Sequence, residues 1–278
     1  MKRCQLTRSL ITIFALIFFC TPFVHASDLD PFLGQEGGIR IAGGTAHIPV
    51  MKEAAKQIMQ ANPKIRITIA GGGSGVGIKQ VGEGLIDIGN AGRKASDDEI
   101  NRYGLKPFKW AIDGVGAVVN PNNPVKTLTS AQLTAVFAGT VKNWKELGGS
   151  DRSINVYTRD SASGTRKVFW KKALAKGAIT ETANVIASNG AMKSAISTDP
   201  YGIGYVSIGH MDASVSPVAI DGVVPTLDTV KEGRYKVARG LYSITKGEPQ
   251  NLNRLFIDFL FSATGQKIAV EKGFIPVR

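Results

Sequence analysis

Three short loops of glycine and hydroxyl residues each follow a strand-like apolar run and precede an amphipathic helix. The first loop covers residues 43–45 (GGT), the second 71–75 (GGGSG) and the third 159–165 (RDSASGT). A helix N-terminus carries unpaired N–H groups and a partial positive charge, so it favours an oxyanion. Three such loops, with Arg159 opening the third, predict a binding site for a small anion.

The spacing around these loops does not fit the common nucleotide, hydrolase or metal motifs. In the second loop, Val76 stands where GxGxxG needs its last glycine, and Ile78 where a P-loop needs its lysine. Val76 also keeps Ser74 out of a GxSxG elbow. His47 and His210, the histidines after residue 26, lack the spacing of a metal site. The sequence therefore predicts no metal, no cofactor and no enzyme activity.

The first 26 residues read as a secretory signal peptide. Lys2, Arg3 and Arg8 form a basic start, and residues 10–20 are an apolar stretch. That stretch is shorter than the roughly 20 apolar residues that span a bilayer. The letters VHA before residue 27 resemble a small-residue cleavage site. We predict cleavage after Ala26 and a periplasmic location, with an uncleaved membrane anchor as the alternative.

Composition narrows the choice of partners. The formal charge of +12 falls to +9 without the leader, which holds three basic residues and no acid. The basic residues are scattered with no run of five, so with export we predict no nucleic-acid partner. Cys4 and Cys20 both lie in the leader, so no disulfide is expected after cleavage. A core built from about 250 residues must then supply the stability.

The elements around the first two loops alternate between strand and helix. Strand-like runs at 39–42 and 65–69 are each followed by a loop and an amphipathic helix, and a third strand follows near 86–88. Pro49 suits the first turn of the first helix. Connections this short imply a parallel sheet with right-handed crossovers.

A second unit follows the turn cluster at 120–124. Within it a strand leads into the third loop, and a strand near 201–206 returns to the first unit. We predict an α/β fold of two lobes, with lobe I formed by 27–119 and 207–278 and lobe II by 120–206. Ligands of open α/β sheets bind beyond the carboxyl ends of the strands, so the interlobe cleft should gather all three loops.

The whole chain after the leader resembles the phosphate-binding proteins of ABC-type phosphate importers, which are type II periplasmic binding proteins. The resemblance is carried by all three loops and by the segments AIDGV (111–115), VVNP (118–121) and NWKELGG (143–149). Its most specific part is Arg159 followed by the SGT of the third loop. The resemblance implies inorganic phosphate as the ligand, a membrane permease as the partner and a monomeric protein.

The resemblance also implies which residues contact phosphate. Arg159 would place its guanidinium fork on two oxygens, while helix starts and hydroxyls supply the other donors. The implied donors are the hydroxyls and N–H groups of Thr45, Ser74, Ser163 and Thr165 and the N–H groups of Ala46 and Gly164.

One departure from the family concerns the segment after the third strand. Many members carry an aspartate there that accepts the proton of hydrogen phosphate, but this chain reads NAGR at 90–93. We include Arg93 in the candidate site as an anion donor, with a salt bridge as the alternative. Asp113 and Asp160 are candidate replacement acceptors, and Asp160 alternatively braces Arg159 or faces solvent. Without a placed carboxylate, a receptor for sulfate, molybdate or tungstate stays open, as does a phosphate sensor without a transport role.

Overall fold

The computed structural model describes residues 27–277. The predicted signal peptide and its cleavage site therefore lie outside the described residues. Within the described part of the chain, none of the helices combines the length and apolar character that crossing a membrane requires.

The described chain forms twelve strands and nine α-helices of a mixed α/β fold, as the sequence predicts. The strands are β1 (Gly37–Gly43), β2 (Ile65–Gly72), β3 (Ile88–Ala91), β4 (Leu105–Val119), β5 (Thr127–Leu128), β6 (Asn155–Arg159), β7 (Asn184–Ile186), β8 (Gly202–Ser207), β9 (Ser216–Pro217), β10 (Ala219–Ile220), β11 (Ala238–Lys246) and β12 (Ile275–Pro276). The helices are α1 (Ile48–Ala61), α2 (Ser74–Gly82), α3 (Asp97–Tyr103), α4 (Ser130–Ala138), α5 (Gly164–Lys172), α6 (Asn189–Thr198), α7 (Leu227–Lys231), α8 (Asn251–Phe261) and α9 (Ala263–Glu271).

The strands of the main sheet follow the order β2-β1-β3-β11-β4-β8-β6-β7. Strand β1 pairs in parallel with both β2 and β3, which confirms the predicted parallel arrangement of the first unit. Strand β6 pairs in parallel with β7 and β8. The first, second and third loops therefore leave the carboxyl ends of β1, β2 and β6.

Strand β4 connects the two halves of the sheet. Its first part, up to Gly114, pairs antiparallel with β11, and its second part, from Val115 onward, pairs antiparallel with β8. One continuous strand thus takes part in both halves, and the change of partner occurs between Gly114 and Val115.

Two large apolar clusters form the cores of the two lobes. The lobe I core gathers α1, α8, α9 and the strands beside them around the buried Trp110. The lobe II core surrounds Phe137, Phe169 and Tyr205, and it extends from Val115 to Val237. This packing differs from the predicted limits of 120–206 for lobe II. The reason is that β4 carries its last apolar residues into lobe II, where the segment around β10 and α7 packs against them.

Local capping sets the ends of several helices. The Thr129 hydroxyl accepts the N–H of Gln132, and the Gln132 side chain accepts the N–H of Thr129, forming a capping box before α4. Gly139 ends this helix in the left-handed conformation, with φ of 75°. The N-cap of α4 is therefore Thr129.

Candidate functional site

All three loops meet at one small cavity between the lobes. The cavity is small, with about 180 Å³ of empty space that includes open solvent. Seven of the eight predicted site residues line it, and Arg93 does not. The lining residues are Gly44, Thr45, Ala46, His47, Gly73, Ser74, Gly92, Arg159, Ser163, Gly164, Thr165 and Arg239.

The second and third loops touch directly, which closes the cavity. The Gly75 N–H donates to the Ala162 carbonyl at 3.0 Å. Gly73 has a φ of 87°, and a Cβ built there would lie 2.8 Å from that same carbonyl oxygen. Only glycine meets both conditions, so the GGGSG loop is a requirement of this contact.

All four hydroxyls of the cavity lining accept hydrogen bonds, and none donates to a described residue. Thr45 Oγ1 accepts from the Asn189 N–H (3.2 Å) and Nδ2 (3.0 Å), Ser74 Oγ from the Gly92 N–H (2.9 Å), Ser163 Oγ from the Arg166 N–H (3.1 Å), and Thr165 Oγ1 from Asn189 Nδ2 (3.4 Å). A hydroxyl carries a single donor proton. Four protons therefore remain for a ligand that accepts hydrogen bonds.

Backbone N–H groups at the helix starts add further donors. Five of the six predicted N–H groups have no hydrogen-bond partner within residues 27–277: those of Thr45, Ala46, Ser74, Gly164 and Thr165. The sixth prediction, the Ser163 N–H, is wrong. That group donates to the Asp160 carbonyl at 3.2 Å, which turns the third loop.

Arg159 gives the clearest indication of the charge of the ligand. Its side chain is buried, and Nη2 donates to the Ala187 carbonyl at 2.9 Å. Its Nε and Nη1 are buried without a partner in the described structure, and burial lowers the pKa of the guanidinium. Leaving buried donors of a charged group without partners is costly, so these two free nitrogens favour an anion beside the guanidinium.

The backbone of Arg159 is fixed by an aromatic stack in the lobe II core. The Tyr205 hydroxyl accepts the Arg159 N–H at 3.0 Å, and the Tyr205 ring stacks on Phe169 at 4.3 Å. The end of β6, and with it the guanidinium, is held by the core beneath it.

Sequence reasoning missed a second arginine, Arg239, which also lines the cavity. Its Nε and Nη2 donate to Asp113 Oδ2 at 2.9 and 2.7 Å, and Asp113 Oδ1 accepts from the Ser207 hydroxyl at 2.8 Å. Desolvation raises the pKa of Asp113, while Arg239 and Ser207 oppose that rise. The pair adds no net charge, whereas Arg159 has no ion pair in the described structure, and a charge interaction with Asp160 opposes the fall of its pKa.

Arg93 is a correction to the predicted site. Its Nη1 and Nη2 each donate to the Glu99 carboxylate at 2.7 Å. Glu99 is fixed in turn by the capping box with Ser96 that starts α3, and the hydrogen bonds from Arg93 lower the pKa of Glu99 to about 2. Arg93 therefore forms the salt bridge that was the alternative to anion binding. The reason is that the Glu99 carboxylate, six residues along the chain, accepts from both Nη1 and Nη2.

Neither proposed replacement acceptor faces the cavity. Asp113 lies behind Arg239, and Asp160 Oδ1 accepts the Ala162 N–H at 2.8 Å within the third loop. No residue of the lining carries a carboxylate. Among residues 27–277, no group of three His, Cys, Asp or Glu side chains is placed to hold a metal ion.

Two neutral histidines support the first loop and predict acid sensitivity. The His47 Nδ1 donates to the Gly44 carbonyl at 3.1 Å, and His210 Nε2 contacts the Thr45 carbonyl at 3.2 Å. Burial lowers the pKa of His47 to about 3 and that of His210 to about 4. As pH falls below about 6.5, the two histidines become protonated in the unfolded chain but stay neutral in the folded chain. The free energy of unfolding therefore falls.

We expect each histidine to cost about 2 kcal/mol of unfolding free energy between pH 7.5 and pH 5. Urea denaturation of residues 27–278 at the two pH values measures this loss. Replacing both histidines with glutamine should remove most of the pH dependence, even if it lowers stability overall. An equal pH dependence in wild type and double variant would assign the acid sensitivity to other groups.

Comparisons with known proteins agree with this geometry. The family model described as "PBP superfamily domain" matches residues 31–264. The phosphate-binding protein PstS of Bacillus subtilis is 38% identical over 262 residues, covering 90% of this chain and 85% of the relative. PstS of Borreliella burgdorferi is 28% identical, covering 86% and 90%.

Solved structures extend the likeness to the fold. The crystal structure of a phosphate ABC transporter substrate-binding protein from Clostridium perfringens, solved with bound phosphate, has a TM-score of 0.81 and 35% identity, with 87% of this chain and 100% of that one covered. An ABC-type phosphate transport receptor from Vibrio cholerae has a TM-score of 0.68 and 32% identity, with 85% and 99% covered. The predicted two-lobe type II fold is thereby confirmed.

Proposed function

Because this chain belongs to the phosphate-binding proteins of the PBP superfamily, we propose that it captures inorganic phosphate in the cavity between its lobes. In this proposal it is a substrate-binding protein that delivers phosphate to an ABC-type importer. The single observation that carries the ligand class is that Arg159 Nε and Nη1 are buried without a partner in the described structure.

The donor set around these two nitrogens suits a tetrahedral oxyanion. Four hydroxyls and five N–H groups without a described acceptor belong to residues that line one small space, and no lining residue carries a carboxylate. Hydrogen bonds to a charged group contribute about 1.5–3 kcal/mol each. A handful of them can offset the desolvation of the anion and still give micromolar or tighter binding.

Binding rather than catalysis is the function that the contacts favour. A serine or threonine nucleophile needs a base within hydrogen-bond reach. The hydrogen bonds of His47 and His210 go to the backbone carbonyls of Gly44 and Thr45, not to a hydroxyl of the cavity. The family is one of substrate-binding proteins, which is consistent with a receptor that carries out no reaction.

The cellular setting completes the proposal. The basic and apolar leader supports export to the periplasm with cleavage after Ala26, and the names of the relatives support a membrane permease as the partner. We infer that the protein acts as a monomer, with phosphate buried by the lobes and released at the permease.

Calorimetric titration of residues 27–278 tests the ligand. We expect one phosphate per chain with a dissociation constant in the micromolar range or below. No heat with phosphate at millimolar concentration would remove the proposal. Because no carboxylate lines the cavity, a receptor for sulfate, molybdate or tungstate is the second candidate, and competition titration with those anions decides between them.

A further inference from the structure

Asn189 lies at the junction of the two lobes, although it neither lines the cavity nor belongs to the predicted site. It is the first residue of α6, and it is fully buried. Its Nδ2 donates to the hydroxyl of Thr45 in the first loop at 3.0 Å, and it approaches the hydroxyl of Thr165 in the third loop at 3.4 Å. One carboxamide therefore contacts a ligand-facing hydroxyl from each lobe.

The orientation of this carboxamide follows from a third contact. Asn189 Oδ1 accepts the N–H of Ser207 at 3.0 Å. A backbone N–H can only donate, so the oxygen must face Ser207 and the NH₂ group must face the two threonines. The side-chain oxygen and nitrogen are thereby assigned by chemistry.

This arrangement determines the direction in which the threonine hydroxyls donate their protons. Thr45 Oγ1 receives both the backbone N–H and the Nδ2 of Asn189, so both of its acceptor positions are occupied. Its proton must therefore point away from Asn189. Thr165 Oγ1 also accepts from Nδ2, at 3.4 Å, which occupies one of its two acceptor positions.

We propose that Asn189 is a positioning residue that keeps the Thr45 and Thr165 hydroxyls as donors, so that the cavity prefers the less protonated form of phosphate. The inference rests on the proposed function. Each proton on bound phosphate needs a hydrogen-bond acceptor, and hydroxyls that are held as donors do not supply an acceptor. Dihydrogen phosphate carries one more proton than hydrogen phosphate, so it is the form that this lining disfavours.

The charged groups around Asn189 do not obscure this effect. Arg159 lies on β6, the Arg239–Asp113 pair joins β11 and β4, and Lys193 lies on the same helix as Asn189 and pairs with Asp212. His47 and His210, with pKa values lowered to about 3 and about 4, stay neutral between pH 6 and 8. All of these groups are retained when Asn189 is changed, so their contributions cancel between variant and wild type.

The test compares phosphate affinity at pH 6 and pH 8 for wild type and Asn189→Ala. We expect the variant to lose about tenfold at pH 8 and about threefold or less at pH 6, because freed hydroxyls can turn and accept a phosphate proton. Asn120→Ala is the matched control. Asn120 is also buried, but its amide donates to the carbonyls of Ile196 and Ser197, so its removal should leave the ratio of the two affinities unchanged.

A double-mutant cycle with Thr45→Val separates positioning from simple structural support. If Asn189 acts through the Thr45 hydroxyl, Asn189→Ala should cost clearly less in the Thr45→Val background than in wild type. Equal losses at both pH values, together with additive effects in the cycle, would overturn the inference. A wild-type protein that binds no phosphate at either pH would instead remove the proposed function itself.

Discussion

Replacing Arg159 with alanine is expected to weaken phosphate binding by about 3 kcal/mol or more, roughly 150-fold. Phosphate would lose the two donors Nε and Nη1, which have no other described partner. The stability of the ligand-free protein should not fall in proportion, because the substitution also removes two buried donors that have no partner in the described structure. Calorimetric titration gives the affinity, and thermal unfolding without phosphate gives the stability.

Two further variants make the Arg159 result specific. Arg159→Lys keeps the charge but not the planar fork, so an intermediate loss is expected. Arg93→Ala breaks the ion pair with Glu99, which lies away from the cavity lining, and should leave the affinity within about threefold. Wild-type affinity in Arg159→Ala, or a larger loss in Arg93→Ala than in Arg159→Ala, would mean that the site is misplaced.

The second large effect is expected from a single methyl group at Gly164. A Cβ built on this residue would overlap Ser74 Oγ and would lie 3.1 Å from Ser74 Cβ. Ser74 cannot easily turn away, since its hydroxyl accepts the Gly92 N–H at 2.9 Å. Gly164→Ala should therefore prevent the two loops from closing on phosphate and cost about 2–3 kcal/mol, or 30- to 150-fold in affinity.

Gly190→Ala provides the matched control for this substitution. Gly190 also lies in the first turn of a lobe II helix, but a Cβ there would meet only Ser188 Oγ at 3.9 Å. Both substitutions favour the helix, but Gly164→Ala alone must displace Ser74, so only that variant should destabilise the closed arrangement of the loops. Calorimetry should show a loss for Gly164→Ala alone, and equal affinities in the two variants would show that the loops need not close this tightly.

The sequence predicts much of this site because its donors belong to local structure. Glycine-rich turns and helix starts are encoded by neighbouring residues, so Thr45, Ser74 and the SGT of the third loop could be found without knowledge of the fold. The parallel order of β1, β2 and β3 followed from short connections between strands and helices.

The parts that the sequence could not predict depend on partners far along the chain. Arg239 reaches the cavity because β11 pairs with β4 and places it opposite Asp113. No local motif marks that position. Arg93 was misassigned because α3, which positions Glu99, has no buried residues and thus no apolar periodicity to reveal it. The role of Asn189 was not predicted for the same reason as that of Arg239. Its hydrogen-bond partners Thr45 and Ser207 lie on other elements.

The predicted limits of the lobes depend on distant pairing in the same way. The turn cluster at 120–124 marks the end of an apolar run, but the run itself already belongs to both cores. The apolar pattern of the sequence reveals the long strand β4. The point at which β4 changes its neighbouring strands depends on strand pairing, which the pattern does not show. The buried clusters place that point between Gly114 and Val115.

A crystal structure of residues 27–278 grown with phosphate tests the central claim most directly. The claim predicts one phosphate enclosed by the three loops, with at least one oxygen about 2.7–2.9 Å from Arg159 Nε or Nη1. The hydroxyls of Thr45, Ser74, Ser163 and Thr165 should each lie within hydrogen-bond distance of it. Phosphate bound elsewhere, or an empty cavity at saturating phosphate with Nε and Nη1 still unpartnered, would contradict the claim.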